Sequence, residues 1–228
     1  MATVDELIRQ LESEYAQNRM LAAYELGDHH DPRAIDALIQ TLEDQSVDCV
    51  TRVEAARSLG RIGDPKAIEP LIRTMEEEWG MCATSLRNAI SEVLGAFRDP
   101  RVTNALVKAL GSDYNTAHAA AESLKKLRDR RAVEPLIRRL EDQQRGGYHR
   151  EFAAQILGVL GDPRAIPALV KALRDVSVFL RHKALESLRG FILTHPDAIL
   201  RLDSEDSNFL ARQIQEKEHD ALLDEICK

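Results

Sequence analysis

The amino-acid sequence predicts an all-α fold, a right-handed α-solenoid (an α-α superhelix) of about six helix pairs with a C-terminal capping helix. Two segments recur in alternation, one of the type Asp-Pro-Arg-Ala-Ile and one of the type Arg-x-x-Ala-Ala-x-x-Leu-Gly, and the period is 30 to 35 residues. Such a period is typical of solenoids, in which each two-helix repeat buries its apolar face only against its neighbours. The aspartates that mark the period are Asp31, Asp64, Asp99, Asp129 and Asp162.

The first helix of each repeat is predicted to begin at this aspartate. In the third repeat, Asp64 can accept a hydrogen bond from a free backbone N–H as an N-cap, and Pro65 has the backbone angle that the first helical position favours. Apolar residues then follow at helical spacing over 68–75. Gly63 suits the left-handed conformation that ends the preceding helix. Asp64 and its counterpart Asp162 are therefore predicted to be structural residues.

The second helix of most repeats carries an arginine, then small residues, then a Leu-Gly pair. The small residues and the glycine let neighbouring helices approach closely. We interpret the arginine as structural, because a charge that recurs once in every repeat normally serves the repeat. Its expected partners are loop carbonyls or an aspartate near the turn between the two helices (Asp44, Asp142 or Asp175). In the fourth repeat Ala117 replaces it. The predicted structural arginines are Arg52, Arg87, Arg150 and Arg181.

The chain is predicted to form one domain. Residues 1–203 form the repeat array, and residues 204–228 belong to the same domain as a capping helix over roughly 205–227. A degenerate copy of the Asp-Pro-Arg-Ala-Ile segment lies at 195–199. The alternative for the C-terminal segment is an amphipathic helix that binds a partner or forms a dimer. The predicted repeats span about residues 1–30, 31–63, 64–98, 99–128, 129–161 and 162–194.

The two recurring segments resemble the short HEAT-like repeats found in phycobilisome lyase subunits and in many bacterial and archaeal proteins. The resemblance covers about residues 4–200. It implies a scaffold that binds proteins or peptides along a concave surface lined by the second helices. Two related enzyme classes fit poorly. The chain has no His-Glu dipeptide of the kind that marks deoxyhypusine hydroxylases, and it is acidic, whereas HEAT-like DNA glycosylases bind DNA on a basic concave face.

Charge and cysteine usage restrict the class of partner and the compartment. The formal net charge of −7 argues against a general nucleic-acid binder, since such proteins need a basic face. The three cysteines show no CxxC spacing, which fits free thiols in a reducing compartment. The charged first residues form no secretory core, and no run is apolar enough to span a membrane. We therefore expect a cytoplasmic protein without nucleic-acid or membrane binding.

Motifs of catalysis and cofactor binding are missing from the sequence. It contains no nucleophile elbow, phosphate-binding loop, dinucleotide motif or HExxH segment. Among the seven histidines only His29 and His30 are clustered, next to Asp31, and a metal there would need further ligands from elsewhere. The sequence therefore favours a protein that is not an enzyme and has no cofactor and no metal.

The turns between the two helices of each repeat are the first candidate binding surface. They vary in length and hold half of the ten aromatic residues. Insertions on one edge of a solenoid often mark a binding ridge, and Tyr and Trp are favoured interface anchors. The alternative is that each ring covers the end of its own helix pair. The predicted partner-binding residues of these turns are Trp79, Tyr114, Tyr148 and His149.

The outward face of the second helices is another candidate surface. Positions two, five and nine residues after the arginine should point away from the packed side, Ala89 and Ala119 among them. In the fifth repeat this face is apolar, and acids flank it, which suits a basic or amphipathic peptide. The alternative is that Phe152 packs against a neighbouring second helix. The predicted partner-binding residues of this face are Phe152, Gln155, Val159, Glu92, Glu122 and Glu186.

Two hypotheses for the function follow. The leading one is a non-catalytic helical-repeat scaffold that binds a protein or peptide through the turns and the outward face of the second helices. The alternative, which rests on the resemblance alone, is a bilin lyase or chaperone-like subunit that acts on phycobiliproteins.

Overall fold

The computed structural model of the chain describes residues 2–78, 80, 82–144, 147–199 and 202–226, with side chains up to residue 215. Throughout these residues the secondary structure is helical, without strands, which confirms the predicted all-α fold. The chain divides into two compact units, Met1–Leu127 and Arg128–Lys228.

The first unit consists of helix pairs in chain order. Each odd-numbered helix packs on the even-numbered helix that follows it, and the even-numbered helices α2, α4, α6 and α8 also pack side by side. A 3-10 turn over Pro65–Ala67 precedes α5. The helices are α1 (Val4–Gln10), α2 (Ala16–Leu26), α3 (Pro32–Glu43), α4 (Cys49–Ile62), α5 (Ile68–Glu77), α6 (Ala83–Leu94), α7 (Pro100–Ala109) and α8 (Tyr114–Leu127).

The second unit repeats this arrangement with two helix pairs and a different C-terminal end. Helices α9 and α11 again follow 3-10 turns, over Arg130–Ala132 and Pro163–Ala165, and α10 packs on α12. The helices are α9 (Val133–Glu141), α10 (Gly147–Leu160), α11 (Ile166–Ala172), α12 (Val178–Thr194), α13 (Pro196–Ile199) and α14 (Ser204–Ile226).

Every recurring aspartate caps the start of a first helix. The Asp64 carboxylate accepts the backbone N–H of Lys66 at 2.8 Å, and the Asp162 carboxylate accepts that of Arg164 at 3.1 Å. The same bond, to the residue two positions later, is present at the other three recurring aspartates. The cap satisfies one of the four N–H groups that a helix start leaves without a partner.

An internal proline explains why three first helices begin with a 3-10 turn. Pro70, Pro135 and Pro167 lie one turn inside these helices, and proline lacks the N–H that would bond to the carbonyl four residues earlier. The chain therefore makes a 3-10 turn before the α-helix begins. Helices α3 and α7 carry a proline only at their first position, and they are α-helical from that residue.

The second helices end in a left-handed residue at three equivalent positions. Gly63 has φ 71° and Gly161 has φ 64°, as the glycine pattern predicts. Arg128 occupies the same position after α8 and has φ 50°. A side chain with a Cβ is disfavoured in this region of backbone space, so Arg128 is a strained version of the glycine cap.

The Leu-Gly pairs allow the second helices to approach one another closely. A Cβ on Gly60 would lie 2.8 Å from a methyl of Val93, and a Cβ on Gly158 would lie 2.6 Å from the Cβ of Ser187. The Ser187 hydroxyl donates to the Ala154 carbonyl at 3.0 Å across the α10–α12 contact. Leucine and alanine fill most of the remaining core, as expected for a repeat protein with few aromatic residues.

Arg52 and Arg150 each link their own repeat to the next. Arg52 donates to the Leu42 carbonyl at 2.9 Å and forms an ion pair with Glu78 at 2.6 Å, both side chains being nearly inaccessible to solvent. Arg150 contacts the Leu140 carbonyl at 2.8 Å and Asp175 at 2.7 Å in the same way. In both cases the carbonyl belongs to the arginine's own repeat and the carboxylate to the turn of the following one.

The other structural arginines also bond to backbone carbonyls. Arg87 donates to the Met75 and Glu78 carbonyls, and Arg181 donates to the Asp175 and Val176 carbonyls. A further arginine of this kind, Arg19, pairs with Asp48 of the following repeat at 2.6 Å.

The C-terminal segment forms the long helix α14, close to its predicted extent, and the short helix α13 before it. The degenerate repeat copy at 195–199 forms only the four-residue helix α13, which has no buried residue. Helix α14 covers nearly the predicted range, its Leu210 is buried, and the Arg174 guanidinium lies 4.4 Å from the centre of the Phe209 ring. Within the described residues, no helix combines the length and the apolar character that crossing a bilayer requires.

Candidate functional site

A polar groove with an aromatic wall lies between α6 and α8. Tyr114 is the first residue of α8, is 56% exposed, and its ring stacks on that of His118 with centroids 6.2 Å apart. Across the groove, the Asn88 amide donates to the Glu92 carboxylate at 3.4 Å. We call this the α6–α8 groove; its lining residues are Thr84, Ser85, Asn88, Glu92, Tyr114, Asn115 and His118.

The α6–α8 groove brings together two residues that the sequence singled out for unrelated reasons. Tyr114 was predicted as a turn aromatic and Glu92 as an acid on the outward helix face. Their neighbour His118 was not predicted, although it follows Tyr114 by four residues, the spacing that places two side chains on one face of a helix. Hydroxyl, amide, imidazole and carboxylate groups beside a flat ring can bind a planar ligand that carries both hydrogen-bond donors and acceptors.

A second cluster of apolar side chains lies at the start of α10 and α12 in the second unit. The Tyr148 ring lies edge-on to that of Phe152, with centroids 6.2 Å apart, and tilts against that of His149 at 4.0 Å. On α12, Val178 is 64% and Phe179 is 73% exposed.

The two helix starts are adjacent. The Ser177 hydroxyl, which caps α12, lies 3.4 Å from the Glu151 carboxylate of α10. We call Tyr148, Phe152, Val178 and Phe179 the aromatic ridge. Exposed apolar side chains grouped in this way often mark a surface that binds a partner.

The remaining candidates on the outward helix face differ in their surroundings. Gln155 and Val159 are half-buried on α10. Glu122 and Glu186 form ion pairs with lysines of their own helices, Lys125 and Lys183.

Two predicted outward positions are corrected by the structure. Ala89 and Ala119, two residues after the recurring position, are buried. Helix α6, which carries Ala89, packs between α4 and α8, and helix α8, which carries Ala119, packs on α6 and α7. The outward face is therefore narrower than the periodicity of a single helix suggests. Trp79 lies outside the described residues.

The carboxylates with clearly lowered pKa values lie at helix caps and turns. The Arg33 side chain and backbone N–H hold the pKa of Asp31 below its usual range, and the Arg164 side chain does the same for Asp162 against the effect of burial. These shifts reflect capping bonds, which favour the ionised carboxylate. Among the described residues, no three His, Cys, Asp or Glu side chains are grouped so that they could hold a metal ion.

Comparison with known proteins gives consistent results along the chain. The HEAT-repeat family model matches residues 4–86 and 82–147, and the model of the PBS lyase HEAT-like repeat matches residues 150–175. The alpha subunit of phycocyanobilin lyase from Picosynechococcus sp. is 45% identical over 85 residues, which are 33% of this chain and 31% of that protein. The match thus spans about a third of the relative's length.

Among solved structures, a chain of the complex of CpcE and CpcF of phycocyanin lyase from Nostoc sp. PCC7120 is similar. The TM-score is 0.54 and the identity 25%, over 95% of this chain and 88% of that one. Human deoxyhypusine hydroxylase has a TM-score of 0.42 at 19% identity, covering 82% of this chain and 84% of that one. An engineered protein has a TM-score of 0.48 at 20% identity, covering 83% and 96%.

The two matches of the HEAT-repeat model together extend over more than half of the sequence, through helices whose caps and turns follow one pattern. The chain belongs to the HEAT-repeat family.

Proposed function

We propose that this chain is a helical-repeat subunit of a bilin-lyase-type assembly, which binds a second protein and a linear tetrapyrrole. The observation that carries the proposal is the likeness to a chain of the CpcE–CpcF complex, which extends over nearly the full length of both chains. The similarity to the alpha subunit of phycocyanobilin lyase supports it over a shorter segment. The cytoplasmic location is part of the proposal and agrees with free thiols at Cys49 and Cys82.

The α6–α8 groove is the proposed tetrapyrrole site. A linear tetrapyrrole is flat, carries pyrrole N–H donors, and has propionate carboxylates. In the groove, the Tyr114 ring can stack on the pyrrole plane, Glu92 can accept hydrogen bonds from pyrrole N–H groups, and Asn88 and Asn115 can donate to carboxylates. A site that pairs a stacking ring with both donors and acceptors suits this ligand better than an apolar one.

Binding of phycocyanobilin to single-site variants tests this assignment. We expect Tyr114→Ala to weaken binding at least about tenfold, because the stacking ring is lost, and Glu92→Gln to weaken it less. Lys126→Ala is the matched control, since Lys126 is exposed near the other end of the same helix. Absorbance titration measures the affinity, and equal affinity for all three variants would contradict the site.

The second candidate function is a protein-binding scaffold without a bilin, and the aromatic ridge favours it. The ridge presents four apolar or aromatic side chains, two of them more than half exposed. Tyr and Phe are effective interface anchors because they bury a large area with few rotatable bonds. The partner in this case is a protein with an apolar surface.

A pull-down with a second lyase-type repeat subunit and a phycobiliprotein distinguishes the two functions. We expect Phe179→Ser to reduce partner capture at least about tenfold if the ridge is an anchor. Val50→Ser is the control, because Val50 is 59% exposed at the equivalent position of α4. Partner capture together with bilin binding supports the lyase-type subunit, capture without bilin binding supports the scaffold, and unchanged capture by the Phe179 variant contradicts the ridge as an anchor.

A further inference from the structure

Two cysteines of adjacent repeats meet at the starts of neighbouring second helices. Cys49 is the first residue of α4, and Cys82 is the N-cap of α6. Helices α4 and α6 pack side by side, both thiols are partly accessible to solvent, and neither forms a disulfide.

The buried ion pair of the second repeat holds the two cysteines in register. Arg52 follows Cys49 by three residues, so the two side chains lie on the same face of α4. Its guanidinium binds Glu78 at 2.6 Å, and Glu78 begins the short turn that leads to Cys82. This pair fixes the turn of the third repeat against the first turn of α4.

The two thiols also influence each other. The Cys49 thiol hydrogen-bonds to Cys82, and burial together with this bond raises the pKa of the Cys49 thiol to about 11. A hydrogen bond donated by the protonated thiol favours the neutral form, so Cys49 keeps its proton and donates the hydrogen bond to the sulfur of Cys82.

We propose that Cys49 and Cys82 form a redox-active thiol pair that closes to a disulfide between the second and third repeats. Neither the HEAT-repeat fold nor the proposed function requires such a bond. The two sulfurs come from segments 33 positions apart in the sequence, so the bond would close a long loop across a repeat junction.

The oxidant is a small disulfide such as glutathione disulfide. The Cys82 sulfur attacks one sulfur of glutathione disulfide as a thiolate, which forms a mixed disulfide and releases one glutathione thiolate. The Cys49 thiol then loses its proton to solvent and displaces the second glutathione. In total, the protein thiols lose two protons and two electrons, and glutathione disulfide is reduced to two molecules of glutathione.

The turn between α5 and α6, which leads to Cys82, contains a glycine with a positive φ. Gly80, two residues before Cys82, has φ 106°, and no atom lies within 4 Å of the position that its Cβ would occupy. Glycine adopts such a conformation without strain, whereas a residue with a Cβ does not.

Mass analysis of the native full chain after exposure to glutathione disulfide tests the proposal. We expect a species lighter by two hydrogens, a peptide map that links Cys49 to Cys82, and complete reversal by dithiothreitol. The closed bond should also raise Tm by roughly 5–10 °C, because it restricts the unfolded chain. A stable glutathione adduct on Cys49 or Cys82, or a Cys49–Cys82 link formed no faster than links to Cys227, would overturn the pairing.

Serine variants provide the controls. Cys227→Ser should still form the linked species at the same rate, whereas Cys82→Ser should lose it. If Cys82→Ser does not fold, the peptide map of the wild-type chain decides alone. The same oxidation in urea gives the reference for pairing without the fold, and equal yields of all pairings in native and denatured protein would contradict a preformed pair.

Discussion

At the residue scale, the buried arginines connect neighbouring repeats as well as stabilising their own, which their sequence pattern alone does not indicate. The Arg52 and Arg150 guanidinium groups each donate to a carbonyl near the end of their own first helix and neutralise a carboxylate of the next turn. A buried charge is tolerated only when it is paired and hydrogen-bonded. Removing the carboxylate therefore leaves an unpaired buried guanidinium, which destabilises the fold.

Asp175 offers a direct test of this pairing. Burial alone would raise the pKa of Asp175, but the Ser177 backbone N–H and the Arg150 guanidinium outweigh it and lower the pKa. A carboxylate with a lowered folded-state pKa stabilises the fold above its unfolded pKa, about 4, and this stabilisation is lost as the pH falls through the folded value.

We therefore expect Asp175→Asn to destabilise the protein by about 3 kcal/mol at pH 7, because it leaves the buried Arg150 charge without its counter-ion. Urea unfolding at pH 7 and pH 3 should also show a smaller loss of stability on acidification in the variant than in the wild type. Glu134→Gln is the control, because its ion pair with Arg164 is more than half exposed and should contribute at most about 1 kcal/mol. Equal losses in the free energy of unfolding for the two substitutions would show that the buried pair contributes no more to stability than the exposed one.

At the element scale, the helix starts and ends could be predicted from the sequence, whereas the partners between helices could not. Asp64 and Gly63 act locally, so a few neighbouring residues determine their roles. The partner of Arg52 is Glu78, which lies in another repeat and in a turn of variable length, so no fixed spacing identifies it.

The candidate site shows the same division. Glu92 and Tyr114 were found as individual residues, but only the packing of α6 on α8 places them in one groove with His118. The burial of Ala89 and Ala119 could not be predicted from the sequence, because it depends on how α6 and α8 pack on their neighbouring helices. Arg128 was missed because the pattern reserves its left-handed position for glycine.

Two glycines of the second unit should respond in opposite ways to the same substitution. A Cβ on Gly158 would lie 3.0 Å from the Cα of Ser187, a backbone atom that cannot move aside, so we expect Gly158→Ala to destabilise by about 1–3 kcal/mol. Around Gly190, within α12, no atom lies near the added Cβ, so Gly190→Ala should stabilise by up to about 1 kcal/mol through helix propensity. Thermal unfolding of both variants measures the two shifts, and a stabilised Gly158 variant would contradict the close helix contact.

At the scale of the whole molecule, we retain as a proposal that residues 1–203 and the helix over 204–228 fold as one domain. Each repeat gains most of its stability from contacts with its neighbours, so unfolding of one repeat weakens the next. The compact units Met1–Leu127 and Arg128–Lys228 are the parts that would separate if this coupling were weak.

Urea unfolding followed by two probes tests the one-domain proposal. Trp79, the only tryptophan, belongs to the first unit by its sequence position, so its fluorescence reports that unit, whereas far-UV circular dichroism reports all helices. We expect the two transitions to coincide, which is the standard sign of cooperative unfolding. Two separate midpoints would instead establish independent folding of the units.

The arginine–carboxylate links also make the array directional. An insertion or duplication after the second or fifth repeat must bring its own acid to the following turn, or it would enclose a positive charge without a counter-ion. Repeats of this protein are therefore not interchangeable building blocks, and grafting them into another scaffold requires the turn of their downstream neighbour as well.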